Sequence, residues 1–398
     1  MRRFLAVLLA AGLLIAVSAF TATGAAAKTS PLTITADRAS AIPAGHNWGF
    51  NDFFPRTISV HRGATIAFSI QGFHTATLLP AGMSPTTARM TMGIAKADPD
   101  DTTPNVNGSS HVTENLGGLV PMPGGCGSAA HPCPFNGSAP VSSGAPLGGP
   151  GAFPLFRVNV TAPVGFYRFA CLIHPKMEGW LAVVPAEFHA TTAAELAASV
   201  HAQILQDRRA GFVAEAAANH PRSHLNSDGT RTWTAAAGTS SPDGHVAINE
   251  MLPRTLAIHK GDNVIWVSRG VNEPHTITFP TDLHTEPAVL CEPVVGTTDT
   301  PATPKHIPPT GPQDFKCAAP TDVLEFESDG GNGVNHVTSK STVSDSGLIA
   351  SSQLIAGFGL PSTAASATWR ISFAGASRTT YHFVCQIHFG MAGTIVVH

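Results

Sequence analysis

Charge is scarce in this chain. Of its 398 residues only 12% are Asp, Glu, Lys or Arg, and the formal net charge is −3. That balance offers no basic stripe, so nucleic acid is not an expected partner. Long apolar runs are missing after residue 20, so no later segment is expected to span a bilayer as a helix. The H-E-x-x-H, G-x-S-x-G and phosphate-loop patterns are absent as well, which removes the chemistries those motifs support. What the chain does have is 38 Gly and 32 Pro, a turn-rich composition suited to many short strands. At the N-terminus, Arg2 and Arg3 precede an apolar stretch over 4–20 and small residues ending Ala25-Ala26-Ala27. This is the layout of a secretory signal, with cleavage expected after Ala27; the alternative is an uncleaved membrane anchor. No Cys follows the apolar stretch, which excludes lipid attachment there.

Two segments read almost alike: 166–184 is FYRFACLIHPKMEGWLAVV and 381–397 is YHFVCQIHFGMAGTIVV. Each carries C-x2-H-x2-M, placing a thiol, an imidazole and a thioether on one short loop between apolar strands. That trio suits a mononuclear copper centre, which needs one further imidazole. Upstream lie PRTISVHRGATIAFSIQGFHTATL from Pro55 and PRTLAIHKGDNVIWVSRGVNEPHTITF from Pro253. Both contain P-R-T, a His-basic-Gly turn and a late His-Thr pair, so the chain is internally duplicated. His74 and His275 are the expected missing imidazoles. The other histidines, such as His46, His61, His259 and His336, are expected at the surface or in turns. His61 and His259 fall in equivalent turns before Gly63 and Gly261.

Both halves resemble the cupredoxins, the plastocyanin, amicyanin and azurin group, and the C-x2-H-x2-M loop resembles amicyanin in its length. The resemblance implies one type 1 copper ion per half: His74, Cys171, His174 and Met177 in the first, His275, Cys385, His388 and Met391 in the second. Where that family often carries Asn after its first histidine, this chain has Thr75 and Thr276. With Cys171 and Cys385 assigned to metal, four of the six cysteines remain. Export permits the disulfides Cys126–Cys133 and Cys291–Cys317; a second metal site with His131 and His306 is the alternative.

Short apolar or alternating runs predict strands over 32–36, 57–60, 65–70, 74–79, 156–160, 166–170 and 179–184. The second half repeats them over 230–235, 255–258, 263–268, 275–279, 368–373, 380–384 and 393–397. Thr192 and Glu195 form a capping box, and Leu196, Val200, Ile204 and Leu205 recur at helical spacing, predicting one helix over 193–218. The expected fold is all-β: two Greek-key cupredoxin sandwiches over 28–187 and 229–398, a signal over 1–27 and a helical linker over 188–228. The spans 80–153 and 280–367 are expected as disulfide-stapled loops wrapping each sandwich. Met83, Met90, Met92 and Met122 in the first span could form a soft Cu(I) site; filling irregular gaps is the simpler role.

The resemblance implies one-electron transfer between extracytoplasmic redox proteins, with the edge of His174 or His388 near the surface among Ile173, Pro175, Ile387 and Phe389. Copper storage or delivery, and a copper oxidoreductase acting on nitrite or oxygen, are the alternatives. Against the last, no two of the 19 histidines are separated by a single residue, and Ala170 and Val384 precede the two ligand cysteines. Related copper enzymes draw on H-x-H pairs and on a histidine adjacent to that cysteine. Lys176 and Trp180 correspond to Gly390 and Thr394, so the two centres need not be equivalent.

Overall fold

The computed structural model describes residues 31–97, 112–115, 125–145, 155–280, 289–292, 300–301, 303–304, 315–316, 323–326 and 336–398. The signal segment and Cys317 lie outside the described residues, and with them the Cys291–Cys317 pairing. The all-β class holds. In the first sandwich one sheet runs in the order Phe53–Phe54, Leu32–Ala36, Thr65–Ile70, Phe156–Val160, Cys133–Phe135. The facing sheet runs Val141–Ser142, Thr77–Leu78, Gly165–Ala170, Glu178–Val184, Thr57–His61. The second sandwich repeats this plan, with Ala247–Leu252, Arg231–Ser240, Asn263–Val267 and Thr368–Ser372 facing Thr255–Ile258, Ala392–Val397, Thr380–Val384, Thr278–Phe279 and Ser344–Asp345. The duplication extends to strand direction. Leu32–Ala36 runs parallel to Thr65–Ile70 as Arg231–Ser240 runs parallel to Asn263–Val267.

The facing sheets bury Phe53, Phe68, Phe135 and Phe169 in one sandwich, and Trp266, Trp369, Phe279, Phe373 and Phe383 in the other. The chain has two tyrosines, and they occupy matching corners. Tyr167 Oη donates to the Pro163 carbonyl at 3.0 Å, and Tyr381 Oη to that of Ser377 at 3.1 Å, the tyrosine-corner arrangement that pins the strand leading into each ligand loop. The repeated P-R-T also has a structural cause. Arg56 pairs with Asp52 at 2.6 Å and Arg254 with Glu250 at 2.9 Å. The carbonyls of Arg56 and Arg254 accept from Trp180 and Thr394, anchoring the strands that leave the two loops.

The long helix spans Ala193–Ala218 as expected, and both bonds of the Thr192/Glu195 box form. The helix is packed against both halves rather than standing as a free spacer. Gln203 donates to Asp52 and to the Phe53 carbonyl, Asp207 meets Arg56 at 2.5 Å, and Gly211 lies against the Trp48 ring. Val200 joins Trp48, Phe50, Phe54, Ala236, Ile248 and Leu252 in a third core at the junction of the halves. Leu205 does not belong to the buried stripe and is exposed. After the helix, within the expected linker, Arg222–Leu225 pairs with Arg231–Ser240.

The long spans differ from the expectation of wrapping loops. Strands from both, Ala95–Ala97 and Val112–Asn115 from the first and Val289–Glu292, Thr300–Pro301 and Val323–Phe326 from the second, form one shared sheet. Their backbone groups are satisfied by pairing across the halves, which the low periodicity of these spans concealed. Short strands were also missed at Trp48–Gly49 and Ala247–Leu252, which pair with each other across the halves. The Cys126–Cys133 disulfide is present. A helix, Pro85–Met92, is capped by Ser84, starts on Pro85 and ends at Gly93 in the left-handed region, the usual start and stop signals. Met83 and Met92 pack on the first core while Met90 is exposed, and Met122 lies outside the described residues. From the second half, Leu348, Ala350, Leu354, Ile355, Ala364 and Ala365 enter that same first core.

Arg56 neutralises two carboxylates, Asp52 and Asp207, that are fully buried. Burial, and then the neighbouring Asp52, push Asp207 up to about 7 against the pull of Arg56. Arg56→Leu should therefore destabilise the fold by about 3–5 kcal/mol, as expected for removing one partner of a buried ion pair. The denaturant midpoint measures it.

Candidate metal centres

Each ligand loop is a tight turn whose backbone closes on itself. Cys171 N donates to the Met177 carbonyl at 2.9 Å and Met177 N to that of His174 at 3.2 Å; Cys385 and Met391 repeat this at 2.8 and 3.1 Å. Lys176 and Gly390, in matching positions, both adopt the left-handed backbone, at φ 74° and 75°. The threonine after the first histidine ties the loop down. Thr75 Oγ1 accepts from Leu172 N and Thr276 Oγ1 from Gln386 N, both at 2.8 Å. Backbone N–H groups of the same threonines approach the cysteine sulfurs, at 3.4 Å for Cys171 and 3.3 Å for Cys385. A hydroxyl thus fills the loop-steadying place where the resemblance implied an amide.

The expected side chains come together. In the first sandwich, Cys171 Sγ lies 3.6 Å from His174 Nδ1 and 3.9 Å from His74 Nδ1, and the two Nδ1 atoms are 2.8 Å apart. In the second, Cys385 Sγ lies 3.7 Å from His388 Nδ1, and His275, Cys385 and His388 offer ligand atoms within 4.8 Å of one another. Met177 and Met391 are buried at the loop ends. Both ring nitrogens of His275 are buried without a hydrogen-bonding partner, a costly state for an imidazole that a bound cation would relieve. Burial pushes both thiols up, but the histidines beside them prevail and hold Cys171 and Cys385 well below the usual thiol range. A buried thiolate facing two imidazoles is the donor set of a soft metal site.

The surroundings of the two centres differ. Behind His74 the Asp37 carboxylate stands 3.9 Å from Nε2. Burial works against a proton on His74, yet Asp37 and Cys171 raise its pKa. The matching backbone position behind His275 is Gly238, and there burial lowers the histidine against the pull of Cys385. Arg89, buried and carried by Pro85–Met92, donates to the carbonyls of Cys171 at 2.7 Å, Leu172 at 3.1 Å and His174 at 3.2 Å, clamping the first loop. Burial lowers this guanidinium to about 10 despite the nearby thiolate.

The implied exposure of the second-histidine edges is not observed. Nε2 of His174 lies 3.1 Å from Glu273 Oε1, and Nε2 of His388 lies 3.3 Å from Glu273 Oε2. Both rings face inward because the two loops meet at the junction, where Ile387 packs on both cores. Burial opposes charge on His174 and His388, but Glu273 and the thiolates raise them to about 10 and about 9. Those two histidines in turn hold Glu273 well below the usual carboxylate range against the effect of burial. Glu273 was missed in the sequence. Its signal was a break in the repeat: Gly72-Phe73-His74 against Gly270-Val271-Asn272-Glu273-Pro274-His275.

Two other His-acid clusters occur among the described residues: His46 with Glu215 and Glu250, and His245 with Asp52 and Asp207. Arginines already engage them. Arg254 pairs with Glu250, and Arg56 with both aspartates, so they act as ion networks. His46, expected at the surface or in a turn, bonds to Glu215 at 2.7 Å.

No family model matches this chain, and no curated protein matches it. Among solved structures it is similar to amicyanin from Paracoccus versutus, at 10% identity over 45% of this chain and 92% of that one, with a TM-score of 0.16. Reduced auracyanin from Roseiflexus castenholzii gives 14%, 39%, 97% and 0.21. A copper-containing nitrite reductase from Thermus scotoductus gives 12%, 86%, 59% and 0.17. Overlap this slight carries nothing over from them, and the reading of the site rests on its own geometry.

Gly238 has φ +68°, and a Cβ there would overlap the His275 ring. Gly238→Ala should cost about 2–4 kcal/mol, combining a left-handed non-glycine residue with overpacking. Denaturant unfolding measures the loss, which should exceed that of Gly45→Ala, where the same left-handed backbone has open space.

Proposed function

We propose that the chain binds one copper ion in each sandwich and works as an exported one-electron carrier. The observation that carries this reading is the convergence, twice in one chain, of a buried cysteine sulfur and two imidazoles on a β-scaffold. His74, Cys171 and His174 would hold one ion, with Met177 as a further soft donor; His275, Cys385, His388 and Met391 would hold the other. Bound copper supplies a one-electron couple. The chain's own residues keep water away, orient the imidazoles and limit movement: Thr75 and Thr276 pin the loops, and Arg89 braces the first. Small rearrangement favours fast exchange, and ligands this enclosed are poorly suited to releasing metal, which favours electron transfer over storage or delivery. Turnover of nitrite or oxygen would need a further open metal position, and the other His-acid clusters among the described residues are engaged by arginine. Other extracytoplasmic redox proteins are the proposed donor and acceptor. Export rests on residues 1–27, and no described helix is long and apolar enough to cross a membrane.

Copper(II) titration followed by visible absorbance and electron paramagnetic resonance should give an intense thiolate-to-copper band saturating at two equivalents. Cys171→Ser and Cys385→Ser should each remove one chromophore and leave the other; retention of both in either variant refutes the ligand assignment. Binding should also depend on pH. His174 and His388, raised to about 10 and about 9, carry a proton at neutral pH that a metal must displace from Nδ1. Affinity should therefore rise with pH, by roughly tenfold per unit for each proton displaced, and level off above those values. Titration calorimetry in buffers of different ionisation enthalpy counts the protons released.

A further inference from the structure

Three donors from separate parts of the chain converge on one buried carboxylate. Glu273 Oε1 accepts from His174 Nε2 at 3.1 Å and from Asn51 Nδ2 at 2.8 Å, and Oε2 faces His388 Nε2 at 3.3 Å. Asn51 and His174 belong to the first sandwich, His388 and Glu273 to the second. The Glu273 side chain is 10% exposed, so its hydrogen bonds are little screened by water and each is stronger than a surface contact. The three residues Asn272, Glu273 and Pro274, which have no counterpart in the first repeat, place it there.

We propose that Glu273 couples the two centres, so that the chain works as one two-electron unit with an internal connection rather than as two independent carriers. This rests on the copper reading above. Each imidazole would bind metal through Nδ1 while its Nε2–H donates to the shared carboxylate, a contact that orients the ring and tunes its donor strength. More positive charge at one centre strengthens that ring's hold on Glu273 and weakens the carboxylate's support of the other ring. Oxidation of one centre therefore raises the potential of the other, and the effect is reciprocal. With copper bound, an electron passing between the centres would oxidise one ion as it reduced the other, with no bond broken and no proton lost.

Two measurements test this. In the metal-free chain, Glu273→Gln should shift the Nε2–H resonances of His174 and His388 together; a shift in one or neither overturns the bridge. In the copper-loaded chain, redox titration should give potentials displaced from those of the single-centre Cys171→Ser and Cys385→Ser chains. The displacement should shrink in Glu273→Gln, with both potentials moving positive as the anion is removed. Comparison of the single-centre chains with the wild type needs no change at residue 273, so it stands even where Glu273→Gln fails to fold. Absence of copper binding overturns the copper reading and this proposal together. Two coppers with potentials unchanged in the single-centre chains overturn the coupling alone.

Discussion

A carboxylate cannot be left unpaired in a protein interior, and the junction of this molecule is arranged around satisfying one. Glu273 lies where both ligand loops meet, and its partners come from Asn51, His174 and His388. The burial penalty is offset only if both sandwiches bring their donors to the same point. That requirement fixes how the loops face one another and turns inward two histidine edges that the resemblance implied would lie near the surface. The third core around Trp48, Phe50 and Val200 and the shared sheet of the long spans hold the same junction from other sides.

Within each half, the scaffold solves one problem twice. A thiolate and two imidazoles have to be held close without collapsing onto each other or onto water. Backbone closure of the loop, a threonine hydroxyl on the residue after the cysteine, and a tyrosine corner on the incoming strand do this in both halves with nearly equal distances. Differences enter where a side chain reaches the loop from outside the repeat. Arg89 braces the first loop, and Asp37 stands behind His74 where Gly238 stands behind His275. A cation near one sulfur and an anion behind one histidine give the two centres distinct electrostatic surroundings.

The strands, the helix with its cap and the two short Cys-His-Met loops were legible because each rests on local chemistry. Thr192 and Glu195 are three apart whatever surrounds them, and C-x2-H-x2-M sets its own loop. Strands such as Thr57–His61 and Thr380–Val384 follow the alternation that buries one face. The expected strands beginning at His74 and His275 shortened to Thr77–Leu78 and Thr278–Phe279, because the histidines turn away toward the centre. Pairing in the long spans was hidden, since its partners lie some 200 residues away in the chain and neither stretch is periodic enough to announce it.

By itself the sequence determined a duplicated, turn-rich β-protein with two Cys-His-Met loops, because residue type and short spacing suffice for that. Tertiary structure alone decided that the two sets face each other across Glu273, that Arg89 reaches the first loop, and that the long helix packs at the junction. Those outcomes depend on which distant surfaces can bury charge and apolar area together, and no local pattern records that.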